Sequence, residues 1–197
     1  QQLEDLPVSI ETETGEMWEP SNDGGSYAGP VTMRRALLLS ANSATVRLSE
    51  QIGRQRTIEL AHQAGIASAL ADVPSLALGS SEVTPLELVS AYAIFANGGR
   101  RIQPYLLESI ETPSGKVIWR ADSFPTAHVL DEVEAFQMAS MLQSVVDNGT
   151  AFEIRRLGIR GPVAGKTGTT NDGNDVWFVG FTPSIVAGFW FGHGVPL

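Results

Sequence analysis

The chain has 197 residues, 13 of them basic and 22 acidic, for a net charge of −9, and it contains no cysteine. One globular domain is the default at this length, with about 70% of the unfolded surface buried on folding. The acidic balance argues against a nucleic-acid partner, which needs a basic face. The missing thiols exclude disulfides, thiolate catalysis and cysteine-based zinc sites. With 43% apolar and 18% charged residues the composition is that of a folded domain.

In chain order, residues 1–29 are polar and rich in Gly, Ser and Asn, and read as an irregular lead-in. Residues 30–99 read as mainly helical. A short helix is predicted from Pro30 to Leu39 with proline in its first turn. Helical spacing resumes over Ala44–Gly53 and Arg54–Ala64, with Gly65 as a stop. The clearest helix is Thr84–Asn97: Thr84 is a good N-cap, Pro85 opens the helix and Glu87 completes a capping box. Residues 100–197 bring a change of period. Tyr105–Glu111 and Lys116–Arg120 flank the turn Thr112-Pro113-Ser114-Gly115 and predict a hairpin. A long amphipathic helix follows over Asp131–Asn148, with Glu134 supporting its cap and Gly149 closing it. Strands are predicted at Val163–Thr169, Val176–Phe181 and Ile185–Phe191. Helices followed by antiparallel strands with one helix among them predict an α+β fold, a sheet packed against helices.

Several motifs invite a reading and fail on spacing. Gly165-Lys166-Thr167-Gly168 suggests a phosphate loop, but position 160, where that loop needs glycine, is Arg160, and no helix follows. The acidic turn Asn171–Asp175 lacks the calcium-loop spacing and its terminal glutamate. His62, His128 and His193 are scattered without metal-ligand spacing, and no Gly-x-Ser-x-Gly elbow is present. No cofactor is implied.

What remains is Lys-Thr-Gly on a predicted strand and Ser40-Ala41-Asn42 at a helix end, more than a hundred residues earlier. A strand presenting Lys166, Thr167 and Thr169 offers a cation, two hydroxyls and exposed N–H groups to an anionic peptide end. Gly168 lets such a peptide lie close. Ser40 would pass a proton and Asn42 would hold a substrate backbone. The alternative reading of Ser40 and Asn42 is helix capping.

Ser-x-x-Lys, a Ser-x-Asn element and Lys-Thr-Gly together mark penicillin-binding proteins and class A β-lactamases. Over nearly its whole length the chain resembles the transpeptidase domain of bifunctional (class A) penicillin-binding proteins. The resemblance runs through Trp18–Asn22, Tyr27–Asn42, Ala77–Leu88, Ala91–Gly99, Ala164–Asp172 and Asp175–Pro183. It implies that residues 1–197 are a partial transpeptidase domain of the penicillin-binding-protein/β-lactamase-like fold. It implies roles as well. Ser40 would relay the proton to the leaving D-alanine amine, and Asn42 would bind the donor peptide's backbone. Lys166 would tune the proton path, while Thr167 and Thr169 would hold the terminal carboxylate. The Thr169 N–H would form half of the oxyanion hole. The implied partners are stem peptides ending in D-Ala-D-Ala and β-lactams, at the extracytoplasmic (periplasmic) face of the bacterial plasma membrane.

One element departs from the pattern. The two lysines, Lys116 and Lys166, follow Pro113 and Val163 by three residues, so no Ser-x-x-Lys is present. The chain begins at Gln1-Gln2-Leu3 with neither methionine nor a targeting segment, and reads as a piece of a longer protein starting shortly after that motif. The nucleophile, the other oxyanion donor, early strands, a glycosyltransferase domain and the membrane anchor are expected upstream. This polypeptide alone is expected not to acylate. Two alternatives remain: a D,D-carboxypeptidase or β-lactamase on the same scaffold, and a catalytically inert peptidoglycan-binding half-domain.

Overall fold

The computed structural model describes residues 2–121, 127–171 and 173–192. Among them the elements are β1 (Gln2–Asp5), β2 (Ile10–Glu11), β3 (Met17–Trp18), β4 (Gly29–Thr32), α1 (Met33–Leu39), α2 (Asn42–Ile52), α3 (Arg54–Ala64) and α4 (Pro85–Ala96). There follow β5 (Ser109–Glu111), β6 (Val117–Arg120), α5 (Glu132–Asn148), α6 (Glu153–Arg156), β7 (Ala164–Thr169), β8 (Asp175–Phe181) and β9 (Val186–Gly192). Short 3₁₀ turns lie at Asp23–Gly25 and Pro74–Leu78.

Local capping explains the two clearest helices. The Thr84 hydroxyl accepts the Glu87 N–H, and the Glu87 carboxylate accepts the Thr84 N–H. Asp131 and Glu134 repeat this exchange at α5, at 2.7 and 3.0 Å. Each box satisfies N–H groups that the first helical turn leaves without partners. Gly65, at φ +115°, ends α3 as expected.

The core forms where α5 meets β7 and β8. Leu142, Val145 and Val146 are fully buried. Leu142 packs with Ala164 and Phe181, while Val145 and Val146 pack with Ala151, Val163 and Phe178. Strands β7, β8 and β9 make one antiparallel meander in that order, pairing Lys166 with Val179 and Thr167 with Phe178. The Phe178 ring lies across Gly165 and Gly180. A Cβ at Gly165 would come within 2.6 Å of that ring and 2.8 Å of the Val179 carbonyl. Glycine is therefore required there by close approach.

Three expectations need correction. Residues 1–29 are not an irregular lead-in: β1 pairs antiparallel with β4, and Leu3 and Val31 join Ala36, Ala41 and Ala44 in a buried cluster. Pro30 does not open a helix. It sits in β4 opposite Glu4, in a two-stranded ribbon where proline's missing N–H is tolerated. The helix starts at Met33, capped by the Thr32 hydroxyl, which accepts the Arg35 N–H at 3.2 Å. The hairpin's first strand is confined to Ser109–Glu111, shorter than Tyr105–Glu111. The expectations at His193 and Asp172 lie outside the described residues.

Candidate active site

Ser40 ends α1, and the backbone there is strained. It holds φ +55° and ψ +42°, the one positive φ outside glycine among the described residues. The Ser40 and Ala41 N–H groups bond back to Leu37 and Ala36, at 3.1 and 2.9 Å. This terminator usually takes glycine, because a Cβ in the left-handed region is unfavourable. A side chain kept there despite the strain points to function.

Lys166 reaches Ser40 from β7. Its Nζ donates to Ser40 Oγ at 2.8 Å and to the Thr167 carbonyl at 2.9 Å. Burial pushes the Lys166 pKa down, because desolvation disfavours the ammonium form. A cation held against a hydroxyl in this way stabilises negative charge developing on the oxygen and assists proton transfer through it.

Asn42 opens α2 two residues beyond Ser40. The α2 N-cap is Ala41, which carries no capping oxygen. Asn22 supplies one instead: its Oδ1 accepts the Ser43 N–H at 3.1 Å. Asn22 Nδ2 in turn donates to Asp5 Oδ1 at 2.8 Å, and the second Asp5 oxygen accepts the Ala28 N–H at 2.8 Å. Asp5 is only 2% exposed, so this network satisfies a carboxylate that would otherwise be costly to bury. Asn42 Nδ2 donates to the Ser21 carbonyl at 2.8 Å, an orientation that leaves Oδ1 as its acceptor.

The Thr167 hydroxyl is hydrogen-bonded to the Thr150 hydroxyl at 2.7 Å. Gly168 and Thr169 continue β7 opposite Trp177 and Val176, and both are exposed. The structure thus brings Ser40 and Lys166 into contact, sets Asn42 on the next helix, and lines Thr167, Gly168 and Thr169 along the strand leading from Lys166. Lys-Thr-Gly lies within a strand, which removes the phosphate-loop reading.

A family model described as the penicillin binding protein transpeptidase domain matches residues 1–195. The chain belongs to this family. It is 37% identical to penicillin-binding protein 1A of Rickettsia bellii (strain RML369-C), a match covering 98% of the chain and 27% of that protein. The crystal structure of penicillin-binding protein 1A from Haemophilus influenzae superposes with a TM-score of 0.90 at 29% identity. That match covers 98% of the chain and 34% of the solved one. The penicillin-binding protein PonA1 from Mycobacterium tuberculosis, 24% identical, shares the fold at a TM-score of 0.86, over 99% of this chain and 55% of that one. The chain spans about a quarter of the length of the curated relatives it matches. The expected penicillin-binding-protein transpeptidase fold is therefore present.

Within this transpeptidase domain, sequence reasoning missed the residues that support the site. Arg34 on α1 donates to the Ser140 carbonyl at 2.6 Å, to Ser144 Oγ at 2.7 Å and to Ser140 Oγ at 3.1 Å, clamping α1 to α5. The Asp5–Asn22 network carries Asn42. Gly149 closes α5, but not by a left-handed turn. A Cβ there would meet the Leu38 carbonyl at 2.7 Å, two residues before Ser40. The only available signal was the Gly149-Thr150 pair itself, which also reads as an ordinary helix stop.

Proposed function

We propose that the chain supplies the proton-relay and substrate-holding part of a serine D,D-transpeptidase that cross-links peptidoglycan stem peptides ending in D-Ala-D-Ala. The observation that carries this reading is the Lys166–Ser40 hydrogen bond, 2.8 Å long between residues 126 positions apart. It makes a proton-relay pair from two motifs that are unremarkable separately.

The nucleophilic serine and its lysine partner, the Ser-x-x-Lys pair, lie outside residues 1–197. The serine oxygen forms an ester with the penultimate D-alanine carbonyl carbon, and the peptide bond to the terminal D-alanine breaks. Ser40 passes the nucleophile's proton to the departing amine, with Lys166 stabilising the hydroxyl in transit. Asn42 Oδ1 accepts an N–H of the donor peptide. Thr167 and Thr169 bind the terminal carboxylate, Gly168 lets the peptide close on β7, and the Thr169 N–H supports the oxyanion. The amine of a second stem peptide then attacks the ester, forming the cross-link and returning the serine. β-Lactams acylate the same serine because their ring amide and carboxylate mimic the peptide end. The reaction takes place on the extracytoplasmic face of the bacterial plasma membrane.

Intact-mass spectrometry of the full-length protein carrying this chain, incubated with benzylpenicillin, tests the reading. One covalent adduct on a serine outside residues 1–197 is expected. Residues 1–197 alone are expected to form none. Absence of an adduct on the full-length protein, or an adduct on Ser40, overturns the proposal. Product analysis with an added amine separates transfer from hydrolysis; exclusive hydrolysis would make the enzyme a carboxypeptidase or β-lactamase.

A further inference from the structure

We infer that Thr150 is a positioning residue that aims the Thr167 hydroxyl at the anionic end of the substrate, an inference that rests on the transpeptidase reading above. A hydroxyl has one proton, and a carboxylate only accepts. Thr167 can hold a carboxylate only by donating its proton to it. The 2.7 Å bond between the two threonine hydroxyls must then run from Thr150 to Thr167. In that direction it fills a Thr167 lone pair, leaves the Thr167 proton free for the ligand, and polarises the hydroxyl as a donor.

The surroundings hold both hydroxyls in place. Thr150 follows Gly149, whose backbone lies against the Leu38 carbonyl and the Val145 backbone too closely for any Cβ. It precedes Ala151, which is buried with Val145 and Val146 against Phe178. Phe178 is the residue paired with Thr167 across the sheet. Thr150 and Thr167 are therefore anchored from two sides by one apolar cluster, while Thr150 itself is exposed. The same segment touches α1 just before Ser40, so it links the proton-relay half of the site to the carboxylate half.

The discriminating ligands are a penicillin with its free carboxylate and the same penicillin as its methyl ester. Acylation rates of both are followed by mass spectrometry on the full-length protein and on its Thr150→Val and Thr150→Ser variants. Thr150→Val is expected to lower the acid-to-ester rate ratio about tenfold, the scale of one hydrogen bond to a charged group. Thr150→Ser, which keeps the hydroxyl, is expected to restore most of that ratio. The inference is overturned if Thr150→Val slows both ligands in equal proportion, if it changes neither, or if Thr150→Ser behaves like valine. A parent protein that neither ligand acylates overturns the transpeptidase reading, and this inference with it.

Discussion

The two halves of the site are held by different balances of apolar packing and hydrogen bonding. Lys166 and Thr167 stand on a strand packed against α5, where Leu142, Val145 and Val146 are fully buried. Ser40 and Asn42 stand at a helix junction where a small apolar cluster around Ala36, Ala41 and Ala44 is joined by polar contacts: Asp5 to Asn22, Asn22 to Ser43, Ser21 to Asn42, and Arg34 to α5. Apolar packing is tolerant of direction and gives the strand a stiff platform. Hydrogen bonds are directional, and they can hold a backbone in the strained conformation seen at Ser40. The half that carries Ser40 and Asn42 is thus the half whose geometry depends more on a few specific polar atoms.

Substitutions separate the contributions of the two halves. Leu142→Ala should have the largest effect, lowering stability by about 3 kcal/mol through a cavity beneath β7. Urea unfolding of the domain measures it, and a loss near zero would mean α5 is not the platform. Asp5→Ala should cost less, about 2 kcal/mol, by stranding the Asn22 and Ala28 donors. Its mark is local: amide hydrogen exchange should quicken at Ser43 while the Val145 amide stays protected. Unchanged protection at Ser43 would mean that the Asp5–Asn22 network does not hold the start of α2.

Ser40→Gly and Ser40→Ala both delete the hydroxyl bonded to Lys166, but only glycine relieves the left-handed strain. The glycine variant is expected to be the more stable by about 1 kcal/mol in thermal unfolding. Equal stability would mean the strain at Ser40 is negligible.

The smallest effect concerns Glu87, a second polar hub away from the site. Its carboxylate accepts from Ser68 Oγ, the Thr84 and Ala67 N–H groups, the Ser68 N–H and Thr84 Oγ1. Led by the Ser68 bond, these pull its pKa from 4.5 down to about 2. A depressed carboxylate pKa means stability that is fully present above 4.5 and lost as pH falls toward 2. Glu87→Gln should therefore melt below the parent at neutral pH, with the gap closing across that acid window. A gap independent of pH would show that the carboxylate charge is not what binds this loop.

Much of the architecture was legible because its causes are local. Thr84 with Glu87, and Asp131 with Glu134, sit three residues apart and form the boxes their spacing implied. The three C-terminal strands were readable from apolar runs broken by turns. Residues 1–29 were not readable. The β1–β4 ribbon has few apolar residues, and its partners lie some thirty positions apart in sequence, as Gln2 with Thr32. At the site, Ser40, Asn42 and Lys166 could be named from their motifs, yet no local pattern pointed to Arg34, Asn22 or Thr150. Each acquires its role from a partner that sequence spacing does not reveal.

Capping, periodicity and turn chemistry act within a few residues, so the order of residues was enough to fix the capped starts of α4 and α5, the three C-terminal strands, the α+β class and the motif residues. Only the tertiary structure decided that Asn22 caps a helix whose own N-cap is alanine, that Ser40 adopts a left-handed backbone, and that Lys166 meets its hydroxyl. Those outcomes depend on which distant groups packing brings within hydrogen-bond reach, and a bond that vanishes within an ångström has no counterpart in the order of residues along the chain.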